Sequence, residues 1–507
     1  MVIDAHTHLF GNAKESGDAL LRSMELSGID MAIVSCLDSY FPDKDEIDTL
    51  NKRTYDFAKA HKDKIMGACY VNPLNDNCTD VIRRGIEDMD MRMIKLWMAC
   101  LCDDEHVDAV AREAIKYNVP ILIHTFFMHS GNPVHESTGE HVRNLALRFP
   151  EAKLIMAHFG GNPYHGIRAV ADCENVYTDY AGTFFGYDDV NYTLKLMGAD
   201  RVVFGTDFPI ANQAFGIGKI ESTHLCNADK EKIYSGNISR LLGISADTGC
   251  IDFGAKFERE HIDVNAMFGH MPYFKSPYTS AAELEKNRTD SSALIVSSFD
   301  SLFFQDPYDA DTEFINMPCS EKIKKAVTIN PTMPNALRDL HKFSKENICG
   351  VKIAPYIQSY PISDKRVIRF AKECAKLSLP LLIENRIFDE RQQYCVKSPK
   401  VSLEETEKFL SAVPDTTVIM LTLRPDEVEK LAAQKRNSVF FDTSGFKGNA
   451  LAFEKLVHTI GADKLMYGSL SPVYNEKSVL YCISGADISE KQKADILINN
   501  AKRVFGL

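Results

Sequence analysis

The chain has no apolar run long enough to cross a bilayer; its longest, such as Val119-Pro-Ile-Leu-Ile, are far shorter than the ~20 residues a spanning helix needs. Basic residues are outnumbered, 58 to 70, for a net charge of −12. That balance and the lack of a basic, aromatic-studded segment exclude a nucleic-acid groove or an anionic membrane as the main partner. The thirteen cysteines include no Cys-x-x-Cys pair, and their odd, scattered distribution reads as reduced thiols. No Gly-x-Gly-x-x-Gly follows the first apolar run, which weakens a dinucleotide-binding reading. Met1 leads directly into strand-like sequence, so no signal peptide is expected. A soluble cytoplasmic protein acting on a small molecule is the class that remains.

What is present is a duplication. At 507 residues the chain suits two units of about 250 residues. Ala32-Ile-Val-Ser-Cys-Leu-Asp-Ser returns as Leu294-Ile-Val-Ser-Ser-Phe-Asp-Ser, Asn72-Pro73 as Asn330-Pro331, Val119-Pro-Ile-Leu-Ile as Leu379-Pro-Leu-Leu-Ile, and Gly198-Ala-Asp as Gly461-Ala-Asp. An offset near 260 over the whole length means a copied domain, not a solenoid of 20–50-residue repeats. Residues 1–249 and 250–507 are the expected domains, joined near Thr248–Glu260. Within the first, β-rich runs at Val2–His6, Met31–Cys36, Ile65–Val71, Met91–Leu96, Pro120–Thr125, Lys153–His158, Val176–Tyr180 and Arg201–Thr206 alternate with helical patterns such as 107–116 and 141–149. Eight strand–helix pairs predict a (β/α)8 barrel, and the repeat predicts two in tandem.

Barrel chemistry gathers at the carboxyl ends of strands. Those ends carry His6 and His8, Lys95, His124, His158 and Asp207. His6 and His8, two apart on a strand, share a face. Imidazoles plus a carboxylate suit one divalent ion, zinc first and manganese or iron next, with a position left for water. Singly, each residue has a plainer reading: His124 as a hydrogen-bonded core histidine, Asp207 as a turn cap, Lys95 as a salt-bridge partner rather than a carbamylated bridge between two metals. Candidate substrate groups are Asp38 and Tyr40 after strand 2, Met128, His129 and His135 after strand 5, and Tyr164, His165 and Arg168 after Gly160-Gly161; Arg168 suits a carboxylate clamp or an ordinary surface position.

The ensemble resembles the amidohydrolase superfamily, in its metal-dependent TIM-barrel branch. The matching text is Ile3-Asp-Ala-His-Thr-His, Ile94-Lys-Leu, Ile123-His, the run Phe149-Pro-Glu-Ala-Lys-Leu-Ile-Met-Ala-His-Phe-Gly-Gly, Asn175-Val-Tyr-Thr-Asp and Phe204-Gly-Thr-Asp-Phe-Pro. The resemblance implies that His6, His8, His124 and Asp207 hold one metal, that Asp207 also takes a proton from its water, and that His158 polarises substrate or shuttles a proton. It implies a hydrolase of a C–O or C–N bond of a small carbonyl compound. A non-oxidative decarboxylase or hydratase with the same ligands is the alternative, and a non-catalytic binding protein the third.

Across the repeat the ligands vanish. His6 falls on Asn265, His8 on Ala266 or Met267, His124 on Glu384, His158 on Thr422 and Asp207 on Leu470, while Lys95 and Asp179 persist as Lys352 and Asp442. A pair between Lys352 and Glu384 is expected where the metal would lie. The second barrel then serves as the other half of an internal pseudo-dimer, or as a ligand pocket built from Asn265, Lys352, Glu384, Arg386 and Asp442. Further homo-oligomerisation stays open.

Overall fold

The computed structural model describes residues 1–129, 131–132, 135–245, 252–389, 391 and 400–507. It divides into two compact units, Met1–Gly254 with Gly448–Ala450, and Ala255–Lys447 with Leu451–Leu507. The boundary expected at 249/250 lies outside the described residues.

The first unit is a sheet of eight parallel strands in sequence order, β1 (Ile3–Leu9), β2 (Met31–Cys36), β3 (Ile65–Tyr70), β4 (Met93–Leu96), β5 (Ile121–Ile123), β6 (Leu154–Met156), β7 (Val176–Asp179) and β8 (Val202–Val203). Each is followed by a helical segment that covers its outer face. Ala5 N–H donates to Phe204 O, Asp207 N–H to His6 O and His8 N–H to Phe208 O, which closes the last strand onto the first. Ile3, Ala5, Ile33, Ala68, Met93, Leu122, Ile155 and Val203 form the buried core. The sequence patterns at 107–116 and 141–149 become the helices Val107–Tyr117 and Gly139–Arg148.

Three strands end two or three residues before their apolar runs do. β5, β6 and β8 stop before His124, His158 and Asp207. At His158 (φ 57°) and Asp207 (φ 65°) the backbone turns into the left-handed region, leaving the ladder and delivering both side chains to the rim.

The second unit repeats the plan with β9 (Ile262–Phe268), β10 (Ala293–Ser298), β11 (Ile323–Thr328), β12 (Gly350–Ile353), β13 (Leu381–Glu384), β14 (Val418–Leu421), β15 (Val439–Asp442) and β16 (Leu465–Met466). Leu470 N–H donates to Asn265 O and Met267 N–H to Ser471 O, the same closure as in the first barrel. This register settles the repeat: His8 corresponds to Met267, and the additional residue of the first copy follows the strand as Phe10. Thr422 (φ 57°) and Leu470 (φ 52°) keep the two left-handed turns without any histidine or aspartate. The strain belongs to the fold, not to the chemistry.

One buried acid gives this unit a pH-dependent stability. Asp311, in the helix Pro307–Asn316, receives Ser301 Oγ at 2.6 Å and the Thr328 N–H at 3.0 Å. Burial, only partly opposed by those hydrogen bonds, pushes its carboxyl up to about 8. Between its ordinary 3.8 and about 8 the folded chain retains a proton that the unfolded chain releases. This contribution to stability is therefore complete below the unfolded value and is lost as pH rises through the window. Asp311→Asn is expected to remove a slope of at most about 1.4 kcal/mol per pH unit. Urea unfolding at pH 5, 6.5 and 8 measures it, and parallel pH profiles for the two proteins would refute the assignment.

Candidate metal centre

Four of the strand-end residues meet at the carboxyl rim of the first barrel. His6 Nε2 and His8 Nε2 are 3.0 Å apart, and Asp207 Oδ1 lies 3.6 Å from the first and 3.3 Å from the second. His158 Nε2 is 3.9 Å from Asp207 Oδ2. His6, His158 and Asp207 each offer one donor atom with all three within 4.8 Å of one another.

The opposite ring nitrogens are held from behind. His6 Nδ1–H donates to Asp179 Oδ2 at 2.8 Å, His8 Nδ1 meets Ser35 Oγ at 2.9 Å, and His158 Nδ1–H donates to Ala181 O at 3.2 Å. The Asp179 and Ala181 acceptors assign the proton of His6 and His158 to Nδ1 and leave their Nε2 lone pairs facing inward. Burial lowers the pKa of all four histidines, His6 well below its ordinary value and His124 to about 3. Burial raises the Asp207 carboxyl, but His158, the His8 hydrogen bond and Lys95 together hold it below the usual range. Neutral imidazole nitrogens converge here with an ionised carboxylate, and the Lys95 ammonium lies against them, 3.1 Å from His6 Nε2. The donor set fits one divalent ion.

Supporting residues fix this geometry. Asp179 Oδ1 accepts the His158 N–H at 2.7 Å and the Ala181 N–H at 3.1 Å, so one carboxylate orients both His6 and His158. Lys219, fully buried, donates to Tyr180 O and Gly182 O, each at 2.8 Å, and pins the turn that carries Ala181. Gly182 has φ +82°, and a Cβ there would lie 3.2 Å from His158 Nδ1.

Other expected residues take different places. Lys95 is buried with Nζ donating to His6 Nε2 at 3.1 Å, so its nearest partner is an imidazole, not the carboxylate of a salt bridge; burial brings its pKa down to about 8. His124 Nε2 faces Glu136 Oε1 at 3.3 Å, and its ring is 5.2 Å from that of His158. Asp38 accepts the Gly11 N–H at 2.7 Å and pairs with Arg53, securing the loop after β1. Arg168 is exposed beside Tyr164, His165 and Glu140 around a cavity of about 510 Å³ that none of the five metal-site residues lines. His129 and His165 pack around Phe127, with ring centroids 5.2 and 5.4 Å from it, and His135 is exposed.

Sequence reasoning missed three residues at this rim. From His8 an aromatic surface runs through Phe10 (6.0 Å) to Trp97, which stands 6.5 Å from Phe10 and 4.6 Å from Tyr40. Trp97 is the chain's one tryptophan, immediately after β4, a signal that the reading of strand ends passed over. Glu136 lies far from any strand in sequence; Thr125 bridges Ser137, which returns the loop to the tip of β5 beside His124. Burial raises the Glu136 carboxyl, and His158 opposes that shift.

The second rim is closed on itself. Lys352 Nζ donates to Glu384 Oε2 at 3.1 Å and to Asn265 Oδ1 at 2.8 Å, so the expected pair forms. Asn265 Nδ2 donates to Asp442 Oδ2 at 3.2 Å, as His6 does to Asp179. Thr422 Oγ donates to Glu384, and burial together with Glu384 pushes the Asp442 carboxyl up to about 7. Arg386 is spent on Glu427 in a two-pronged pair at 2.6 and 2.7 Å. Met267 and Leu470, both buried, replace His8 and Asp207. Thioether and alkyl groups in place of imidazole and carboxylate do not suit a hard cation.

The sequence profile of the family described as amidohydrolase matches residues 3–244 and 321–507. A curated relative, the gamma-resorcylate decarboxylase of Polaromonas sp. (strain JS666 / ATCC BAA-500), is 29% identical over 119 residues, which is 19% of this chain and 36% of the relative. This chain thus matches only about a third of that relative's length. Among solved structures, 2,6-dihydroxybenzoate decarboxylase from Rhizobium is similar at TM-score 0.41 and 17% identity, covering 48% of this chain and 98% of the other. Dihydroxybenzoic acid decarboxylase from Polaromonas sp. JS666, solved with bound manganese, is similar at 0.40 and 16%, covering 49% and 98%. The hydratase of 4-oxalomesaconate from Rhodopseudomonas palustris is similar at 0.37 and 18%, covering 48% and 96%.

Proposed function

Because the chain belongs to the amidohydrolase family, we propose that its first barrel is a metal-dependent, non-oxidative decarboxylase of a small aromatic carboxylic acid. The observation that carries this reading is the aromatic surface that starts 6.0 Å from His8 and continues through Phe10, Trp97 and Tyr40. An aromatic acid would pack against these mutually tilted rings with its carboxylate toward the histidines. The curated relative, itself a decarboxylase, points the same way.

His6, His8 and Asp207, which converge here, would hold the ion with His124 as the expected fourth ligand, and its contribution when bound is a fixed positive charge that anchors the anionic substrate. Asp207 takes up a proton relayed from solvent through His158. Asp207 gives that proton to the ring carbon bearing the carboxylate. A C–H bond forms, the bond to the carboxylate carbon breaks, its electron pair restores the aromatic ring, and CO2 leaves. His158, 3.9 Å away and held by Ala181 O, returns a proton from solvent to Asp207. Hydrolysis of a C–O or C–N bond would use the same groups with Asp207 as base; the aromatic surface and the relative favour decarboxylation.

The test is turnover of 2,6-dihydroxybenzoate by chain reconstituted separately with Mn2+, Zn2+ and Fe2+. CO2 release that is lost on chelation and regained on adding metal is expected, with about one ion bound per chain. Hydrolysis of simple esters or amides without CO2 release would move the protein to the hydrolase reading. Failure to bind any divalent ion would leave the non-catalytic reading standing.

A further inference from the structure

The proposed chemistry makes no use of Glu136. Its side chain is 9% exposed. Oε1 meets His124 Nε2 at 3.3 Å, but Oε2 is buried with no hydrogen-bond partner among the described residues. Such an oxygen costs about 1–3 kcal/mol, more when charged, and native structures leave few of them. Its position makes a local explanation insufficient: the Thr125–Ser137 bridge holds the end of the loop against the β5 tip, and Phe126 stacks on Phe184 at 5.6 Å beside it. A carboxylate fixed at a barrel rim with one oxygen left over is a site prepared for a donor that arrives with the ligand.

We propose that Glu136 determines specificity, its Oε2 accepting a hydrogen bond from a hydroxyl or amino group on the substrate ring. The site then selects an aromatic acid carrying such a donor over the same acid without it, because only the former gives the buried, unpaired oxygen a partner. This rests on the aromatic-acid reading above. It adds which acids are accepted and which residue decides.

Trp97, the one tryptophan and part of the aromatic surface, reports binding without turnover. The full chain loaded with Mn2+ is titrated with 2,6-dihydroxybenzoate and with 2,6-difluorobenzoate, which has a similar outline and no donor. Wild type is expected to prefer the dihydroxy acid by roughly 10-fold or more. Glu136→Gln, which keeps an acceptor oxygen, retains part of that preference. Glu136→Leu, compared at matched metal content, loses it while still binding difluorobenzoate. Undiminished preference in Glu136→Leu overturns the inference, and so does loss of bound metal from Glu136→Gln, which would make Glu136 a ligand instead. Selective binding without CO2 release would sink decarboxylation and leave the Glu136 assignment intact. Equal binding of the two acids by wild type would do the reverse, and binding of neither would remove both.

Discussion

Replacing Asp207 with asparagine is expected to lower turnover by about 10³-fold or more, within the range by which a positioned acid–base group accelerates a reaction, while the fold survives. Asparagine tolerates the left-handed backbone that Asp207 adopts at φ 65°. The strand closure through the Asp207 N–H to His6 O involves no side chain. The second barrel supplies an internal control, since Leu470 occupies the same turn with φ 52° and the same hydrogen bond to Asn265 O. What the amide cannot do is carry the proton that decarboxylation puts on the ring. Steady-state rates with matched metal content and circular dichroism separate the effects. Activity within tenfold of wild type would show that another group carries the proton, with His158 the first to examine.

The second large effect falls in the barrel whose rim lacks the histidines. Lys352→Met should destabilise the second unit by about 3–5 kcal/mol, because it leaves Glu384 buried without its counter-charge. Lys352 and Glu384 are at most 2% exposed, so water does not screen the loss. The double variant Lys352→Met/Glu384→Gln should recover much of the stability, and the difference between single and double variants gives the coupling. Urea unfolding with a probe in the second unit is the measurement, read as a possible two-step transition since the chain has two units. A single variant as stable as wild type would mean the pair contributes nothing. The ammonium is common to both rims, Lys352 against Asn265 as Lys95 is against His6, and what changes is its partner. Glu384 in place of His124 then supplies the negative partner internally.

The two barrels also show how much of a site can be read in one dimension. Eight runs of β-rich sequence and an offset near 260 carried the architecture, because strand period and domain copying are written along the chain. The strand ends were less legible. His124 and His158 read as strand and Asp207 as the residue just after one, yet positive φ at His158 and Asp207 turns the chain off the ladder. Asp38 and Arg168 have the right residue types for substrate binding, but one is committed to Gly11 and Arg53 and the other faces a separate cavity. Type alone does not say which partner is nearer.

The sequence by itself determined that this chain is two copies of one fold, that one copy carries imidazoles and a carboxylate at successive strand ends, and that the other has lost them. Periodicity and residue chemistry suffice for that, since both are local. Tertiary structure decided the rest. It set which nitrogen of His6 and His158 faces inward, through Asp179 and Ala181. It aligned His8 with Met267, brought Glu136 to His124 across the Thr125–Ser137 bridge, and joined Phe10, Tyr40 and Trp97 into one surface. Those relations depend on barrel closure and loop return, which place residues far apart in sequence within a few ångströms, and no spacing along the chain encodes them.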